Sequence, residues 1–438
     1  MMQDTYTDVF SSEWIAANIT DPIHELVILG KVIPWGNIST RLRKYYHRSK
    51  GPLGKPIRMM VALLIAMKLR GLSDRGVVAQ VKENRYLQYF CHVPVEGLQT
   101  CLHPTSLVKF RQRLGTDGIA VIEQEVCDRF RRTGVIQGDD ALIDSTVLNN
   151  NIVYPNDVHL LVKAFKKMKQ CATRHHIPVW WDDDEIKKLW RAFGLAKGAD
   201  RATWLRAFHQ LFCPALDTFK THVQSLQTTP KRQRKAEKLL WLLTLLDEQT
   251  RDKLAGVVSI PHRIVSLDEP DARPIKKGKV HPACEFGTTL QLAFNRDGFL
   301  ITMENCIGKP DDTTVFPGTL ALYRQRMKAP PDTVVTDLGY RSAKNVIAAK
   351  ESDTVFLGRT QDVPAEQQAF CHSARSATEG LIAVAKHLRG FGRSLYRGFH
   401  GDRIWSLLCQ TAYNVKKFLQ RYEEELLDED SLVKLHLA

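Results

Sequence analysis

The sequence predicts an α/β protein: a mixed sheet, a large all-α insertion after its first strand, and an α-helical domain at the N-terminus. Three observations predict it. Two short apolar runs, Ala141-Leu142-Ile143-Asp144 and Thr333-Val334-Val335-Thr336-Asp337, each end in an aspartate. They read as buried strands that deliver a carboxylate at the C-terminal edge, where α/β sheets carry their sites. Residues 158 to about 260 abandon strand pattern for helical spacing, and the residues before about 135 show helical spacing alone.

A chain of 438 residues, 44% of them hydrophobic, can bury a large core and should form two or three domains. Its formal charge of +14 and isoelectric point near 9.3 favour a polyanionic partner. No stretch approaches the roughly 20 apolar residues of a membrane span, and Met1 to Pro22 lacks the charged-then-apolar pattern of a signal peptide. Nucleic acid is therefore the first partner to consider, no membrane is expected, and a cytoplasmic location follows. The nine cysteines include no C-x2-C pair and read as small buried hydrophobes in a reducing compartment. His175-His176 near Cys171 lacks a fourth ligand at metal-site spacing.

In chain order, the basic run from Arg41 to Arg48, interleaved with Tyr45 and Tyr46, suits either a DNA backbone or a solvated helix end. Ile57, Met60, Val61, Leu64, Ile65 and Met67 mark an amphipathic helix closed by Gly71. Ser73 is the N-cap of a second, with Val77, Val78 and Val81 inside. A third, from Thr105, buries Leu107, Phe110 and Leu114, keeps Lys109, Arg111 and Arg113 outside, and stops at Gly115. Such helices fit a helix-turn-helix that binds DNA or a plain bundle. A helix from Ile119 to Arg132 leads to the strand ending at Asp144. Ser145, Thr146 and Asn149 to Asn151 then read as a site wall or turn, because polar residues break a buried strand.

The insertion carries basic clusters at Lys163, Lys166, Lys167 and Lys169 and at Lys231, Arg232, Arg234, Lys235 and Lys238. Its acids Asp182 to Glu185 start a helix through Ile186, Leu189 and Trp190, since acids favour the positive end of the helix dipole. Strand pattern returns after Ala283: a strand from Phe286 to Phe294, a tight turn Asn295 to Gly298, and a hairpin partner from Phe299 to Cys306. A helix Val315 to Met327, the strand closing at Asp337, a helix Ser342 to Lys350 and a strand Thr354 to Leu357 follow. A long helix from Ile404 to Tyr422 closes the chain, with a solvated acidic tail from Glu423 to Asp430. A sheet of this order resembles the ribonuclease-H-like fold.

The stretch from Cys371 to Arg389, read as a helix, puts His372, Arg375, Glu379 and Lys386 on one face. An acid framed by cations suits a carboxylate that ligates a hard cation while its neighbours engage phosphate; a solvated face with a chance Arg375–Glu379 pair has the same pattern. Asp144, Asp337 and Glu379 together satisfy magnesium, which takes oxygen ligands and keeps positions for water and phosphate. Two such ions can stabilise the entering and leaving oxygens of in-line phosphodiester attack, with no covalent protein nucleophile. Asp157, Asp268, Asp271, Asp311 and Asp312 are weaker candidates, lying in loops or beyond the strand ends.

These blocks resemble the bacterial insertion-sequence transposases of the DDE class, and the match covers most of the chain. The class carries its third acid in Y-x2-R-x3-E-x6-K, and here the block reads His372-x2-Arg375-x3-Glu379-x6-Lys386. Ile143-Asp144-Ser145-Thr146 is similar to its first block and Thr336-Asp337-Leu338-Gly339-Tyr340 to its second. Glu285-Phe286-Gly287, Tyr396-Arg397-Gly398 and Gly401-Asp402 are similar to further family segments. The resemblance implies Asp144, Asp337 and Glu379 as catalytic metal ligands for Mg2+, with Mn2+ able to substitute. It implies His372, Arg375 and Lys386 on the DNA backbone. The partners it implies are transposon terminal inverted repeats and target DNA, bound by a homodimer or higher multimer on the bacterial nucleoid. His372 departs from the family tyrosine and stacks on a base less well. A catalytically inactive or repurposed transposase that only binds DNA is the alternative. The expected divisions are 1–135, helical, for DNA binding and assembly; 136–157, the first catalytic strand; 158–262, the basic helical insertion; and 263–438, the rest of the catalytic domain.

Overall fold

In the computed structural model, which describes residues 10–47, 54–93, 102–195, 201–276, 284–357 and 365–437, the first strand is longer than its sequence suggests. Arg48, Cys101 and Ala283 lie outside the described residues. Strand β1 runs Asp140–Asn150, so of the site wall or turn expected from Ser145 on, the turn is corrected: the chain stays extended to Asn150. Thr146 and Val147 are β-branched and favour extended backbone. The polar side chains are satisfied in place: Ser145 meets the Tyr340 hydroxyl, and Asn149 bonds both Glu285, at 3.1 Å, and the Phe286 amide, at 3.3 Å.

Six further strands join it: β2 (Arg273–Ile275), β3 (Glu285–Phe294), β4 (Leu300–Ile307), β5 (Thr333–Thr336), β6 (Val355–Leu357) and β7 (Arg393–Ser394). The order is β2-β3-β1-β5-β6, with β4 on β3 and β7 on β1. Pairing is antiparallel in β2/β3 and β3/β4 and parallel in β1/β5 and β5/β6, which makes the sheet mixed and the protein α/β. Asn295 fixes the hairpin turn, donating to the Gln137 carbonyl at 2.7 Å and accepting from the Phe299 amide at 2.8 Å.

The chain forms two compact units. The first comprises residues 1–148, 289–396 and 400–438; the second comprises 149–288 and 397–399. The first unit opens with α1 (Ser12–Asn18), α2 (Glu25–Val32), α3 (Trp35–Leu42), α4 (Ile57–Leu69), α5 (Asp74–Glu83), α6 (Arg85–Cys91) and α7 (Pro104–Arg132). Helix α4 is buried all round from Met59 to Met67, not amphipathic, because α3, α5, α6 and α7 surround it. Arg111, expected outside, is 6% exposed. It makes a two-pronged pair with Asp74 at 2.6 and 2.7 Å and lies over the Tyr396 ring, so its charge is spent inside the fold. Gly115 breaks α7 as its sequence suggests, at φ 60 and ψ −166, a conformation that a side chain disfavours.

The second unit is helical: α8 (Asp157–Arg174), α9 (Asp183–Leu195), α10 (Arg201–Gln224) and α11 (Pro230–Leu254). It has its own core around Phe165, Phe208, Phe212, Phe219, Leu243 and Leu246. Asp183, Asp184 and Glu185 occupy the first turn of α9, as their charge requires.

The first unit continues with α12 (Asp312–Met327), α13 (Ala343–Lys350), α14 (Ala365–Leu388), α15 (Gly398–Glu423, starting at the unit boundary) and α16 (Glu429–Leu435). N-terminal helices and sheet share one core, in which Phe130 stacks on Phe418 at 4.9 Å. Asn414 of α15 clamps β4 with both ends of its amide, on the Leu300 amide at 2.8 Å and its carbonyl at 2.9 Å. The acidic tail from Glu423 to Asp430 is exposed as expected, apart from the half-buried Leu427; beyond it α16 buries Ser431 and Leu435, and Asp428 caps the helix.

Lys68 is the least comfortable charge in this unit. Its ammonium is sealed from solvent without an oxygen or nitrogen partner among the described residues, facing the rings of Trp405 and Tyr396 beside the Cys409 thiol. Burial lowers its pKa from 10.5 to about 8. The folded state therefore releases a proton above pH 8 that the unfolded chain keeps to about 10.5, so the Lys68 penalty is full below pH 8 and fades above it. Lys68→Met should be the more stable chain at pH 7, and wild type should close the gap by on the order of 2–3 kcal/mol as pH rises toward 10. Urea unfolding of both chains across that range checks it.

Candidate active site

Parallel pairing of β1 with β5 aligns Ala141 with Val334, Leu142 with Val335 and Ile143 with Thr336. The next residue on each chain is an aspartate, Asp144 and Asp337, so two apolar strands bring two acids side by side, with strands about 4.8 Å apart. Asp144 is half-buried, and its Oδ1 accepts the Ser145 amide at 2.6 Å. Asp337 is exposed. Its Oδ1 accepts the Leu338 amide, capping the 3-10 turn Leu338–Tyr340.

Helix α14 supplies the third acid. Arg375 and Glu379 are one turn apart, and Arg375 Nη2 donates to Asp337 Oδ1 at 3.3 Å. Ile143, Asp144, Val335, Thr336, Asp337, Arg375, Thr378 and Glu379 line one cavity of about 40 Å³. Three acids separated by up to 235 positions in the chain, from Asp144 to Glu379, thus share a wall. Their oxygens do not close on a single point: among the described residues, the one trio of His, Cys, Asp or Glu ligand atoms within 4.8 Å of each other lies elsewhere. His372 is exposed and Lys386 half-buried farther along α14, and neither lines the cavity.

A buried platform holds this rim. The Tyr340 hydroxyl bonds Gln291 at 3.0 Å and meets Ser145. Burial, with Asp312 and Asp144 nearby, raises its phenol above the ordinary value, so it stays protonated and able to donate. Asn345 Nδ2 donates to the Tyr340 carbonyl at 2.7 Å and the Thr313 carbonyl at 3.0 Å. A Cβ at Gly339 would stand 3.0 Å from the Asp312 carboxylate, so the turn passes close to that acid. Gln291, Asn345 and Thr378 had no motif to announce them; only the tyrosine in Asp337-Leu338-Gly339-Tyr340 offered a signal. The competing acids have other tasks. Asp311 caps α12, Asp268 pairs with Lys163 and Lys167, and Asp157 pairs with Arg263 at 2.7 Å.

The fold and site define a class first: a mixed α/β protein with a carboxylate-lined cavity at the C-terminal edge of parallel strands. Residues 15–113, the helices α1 to α6 and the start of α7, match the family described as Transposase domain (DUF772). A Rhizobium meliloti protein described as uncharacterized protein ORF8 in nfe locus is 28% identical over 165 residues, covering 36% of this chain and 78% of that protein. No solved structure matches. The chain is therefore similar to transposases over its N-terminal helices, a match that stops short of all three acids. No helix among the described residues is long and apolar enough to cross a membrane.

The platform and the rim should respond differently to truncation. Asn345→Ala strands two carbonyls and should lower stability by about 1–3 kcal/mol. Arg375→Ala removes an exposed pair and should change stability by less than about 1 kcal/mol. Paired urea titrations decide it; equal losses would show that the Arg375 contact carries structure.

Proposed function

We propose that this chain is a DNA transposase of the DDE class, cutting at the ends of an insertion sequence and joining them to target DNA. The observation that carries the reading is the convergence of Asp144, Asp337 and Glu379 on one cavity with Arg375. The strand path β4-β3-β1-β5-β6, an antiparallel hairpin on one side of β1 and parallel strands on the other, supports a ribonuclease-H-like core. The similarity of residues 15–113 to a transposase domain supports it independently of the acids.

The donor set fits magnesium, with manganese as a substitute: all three ligands are carboxylates, hard oxygen donors. Three carboxylates on one wall would leave coordination positions open for water and phosphate. When bound, the ions supply Lewis-acid stabilisation of the entering and leaving phosphodiester oxygens. The protein side of the chemistry is positioning. Asp144 and Asp337 are fixed by strand register, and Glu379 by helix α14. Arg375 spends one N–H on Asp337 and has further donors in its planar fork to offer a phosphate oxygen. His372 and Lys386 extend the contact along the DNA backbone. The basic helical insertion adds backbone contacts, consistent with the charge of +14. The working form is a homodimer or higher multimer on paired transposon ends, acting on double-stranded DNA in the bacterial cytoplasm.

Asp144→Asn, Asp337→Asn and Glu379→Gln should each reduce magnesium-dependent cleavage of DNA bearing the element's ends below detection, while DNA binding persists. Nicking and strand-transfer assays beside a mobility-shift assay separate the outcomes. Full cleavage by any variant removes that residue from the site. Binding without cleavage by the wild-type chain marks a protein that only occupies DNA, and hydrolysis without joined product marks a nuclease.

A further inference from the structure

The helical unit holds a second cluster of ligand-type side chains, chemically unlike the first. His209 and Cys213 sit one turn apart on α10, and Asp247 meets them from α11. His209 Nε2 is 2.7 Å from Asp247 Oδ1, and Cys213 Sγ is 3.4 Å from each of those atoms. The His209 and Asp247 side chains are 12% and 5% exposed, and Cys213 is half-buried.

A tetrahedral ion held at about 2.0–2.1 Å by nitrogen and oxygen and about 2.3 Å by sulfur needs ligand atoms roughly 3.3–3.6 Å apart. Two sides of the observed triangle, at 3.4 Å, already meet that requirement. The third, at 2.7 Å, must open by about 0.6 Å, the difference between a hydrogen bond and a shared metal. From this geometry we propose that His209, Cys213 and Asp247 form a binding site for a borderline-soft divalent cation of the zinc type, which ties α10 to α11. The mixed nitrogen, sulfur and oxygen set selects against magnesium and calcium. It leaves a fourth position for water.

The surroundings suit the task. Arg251 grips Asp247 Oδ2, so the carboxylate is oriented by an outer partner and presents its other oxygen to His209 and Cys213. Burial, with Asp247 beside it, pushes the Cys213 thiol up to about 11, so it remains a thiol in the absence of a cation. A divalent cation between the two reverses that balance: a sulfur–metal bond forms and the thiol proton leaves to solvent. The site lies wholly within the second unit and involves none of Asp144, Asp337 and Glu379, so the inference stands or falls apart from the transposase reading.

The test uses the full chain, stripped of metal with a chelator and titrated with Co2+. One equivalent should produce a thiolate-to-cobalt charge-transfer band that one equivalent of Zn2+ removes. Cys213→Ser should lose the band and Asp144→Asn should keep it. In case Cys213→Ser disturbs the helices, the wild-type chain offers a second measurement: Zn2+ should protect Cys213, identified by peptide mass, from alkylation. A titration without the band, a band that survives Cys213→Ser, or alkylation of Cys213 indifferent to zinc would overturn the proposal, leaving a hydrogen-bonded trio.

Discussion

Everything at the acid site depends on the register between β1 and β5. Side chains alternate along a strand with a period of two, so a slip of one residue would turn Asp144 or Asp337 to the opposite face of the sheet. The register is secured at its start, far from the acids. The amides of Asp332 and Thr333 donate to the Asp139 carbonyl, the Thr333 hydroxyl bonds the buried Asp140 carboxylate, and the Tyr323 hydroxyl donates to the Asp140 carbonyl at 2.8 Å. Three matched buried pairs then carry the alignment, Ala141 with Val334, Leu142 with Val335 and Ile143 with Thr336. By the time the strands reach solvent, their relative position is set.

That arrangement separates what stabilises the fold from the acids at its rim. Asp337 and Glu379 are exposed and held by few contacts, whereas Tyr340, Gln291, Asn345 and Thr378 beneath them are buried and hydrogen-bonded. Neighbouring carboxylates repel one another, and leaving them in solvent keeps that repulsion small. The rigidity they need comes from neighbours with no net charge. Arg375 contributes little to stability by its exposed pair with Asp337, yet it keeps a guanidinium at the cavity beside the acids.

Much of this was legible in the residues, for identifiable reasons. Asp144 and Asp337 stand out because an apolar run ending in an acid is unusual unless the strand leaves the core there. Arg375 and Glu379 stand out through helical spacing. The same spacing put His372 and Lys386 on their face, but a helix longer than a cavity carries some of its stripe past the site, and that limit is not written in a period of 3.6. Of the site wall or turn read at Ser145, the turn failed because Ser and Thr are ambiguous until a partner is known, and the partner, Tyr340, is 195 residues away. Arg111 looked solvent-facing by its place on α7; its bond to Asp74 across two helices is a tertiary fact. Helix α4 looked one-sided because periodicity counts apolar residues and does not count surrounding helices.

His209, Cys213 and Asp247 add a point about ligand chemistry. The His-x3-Cys spacing was present on α10, yet single ligand pairs one turn apart are common and the third partner lies on another helix. The two clusters differ in the ways that matter to a cation. One offers carboxylates alone around a shared cavity, which suits hard ions that keep their water and share a phosphate. The other offers nitrogen, sulfur and oxygen drawn together between two packed helices, with one carboxylate oxygen committed to Arg251, which suits a softer ion that exchanges most of its water for protein ligands and keeps one position for it. A cation that satisfied the first would be poorly bound by the second. Ligand hardness and spacing can therefore keep two metal chemistries apart within one chain, without either site needing a gate.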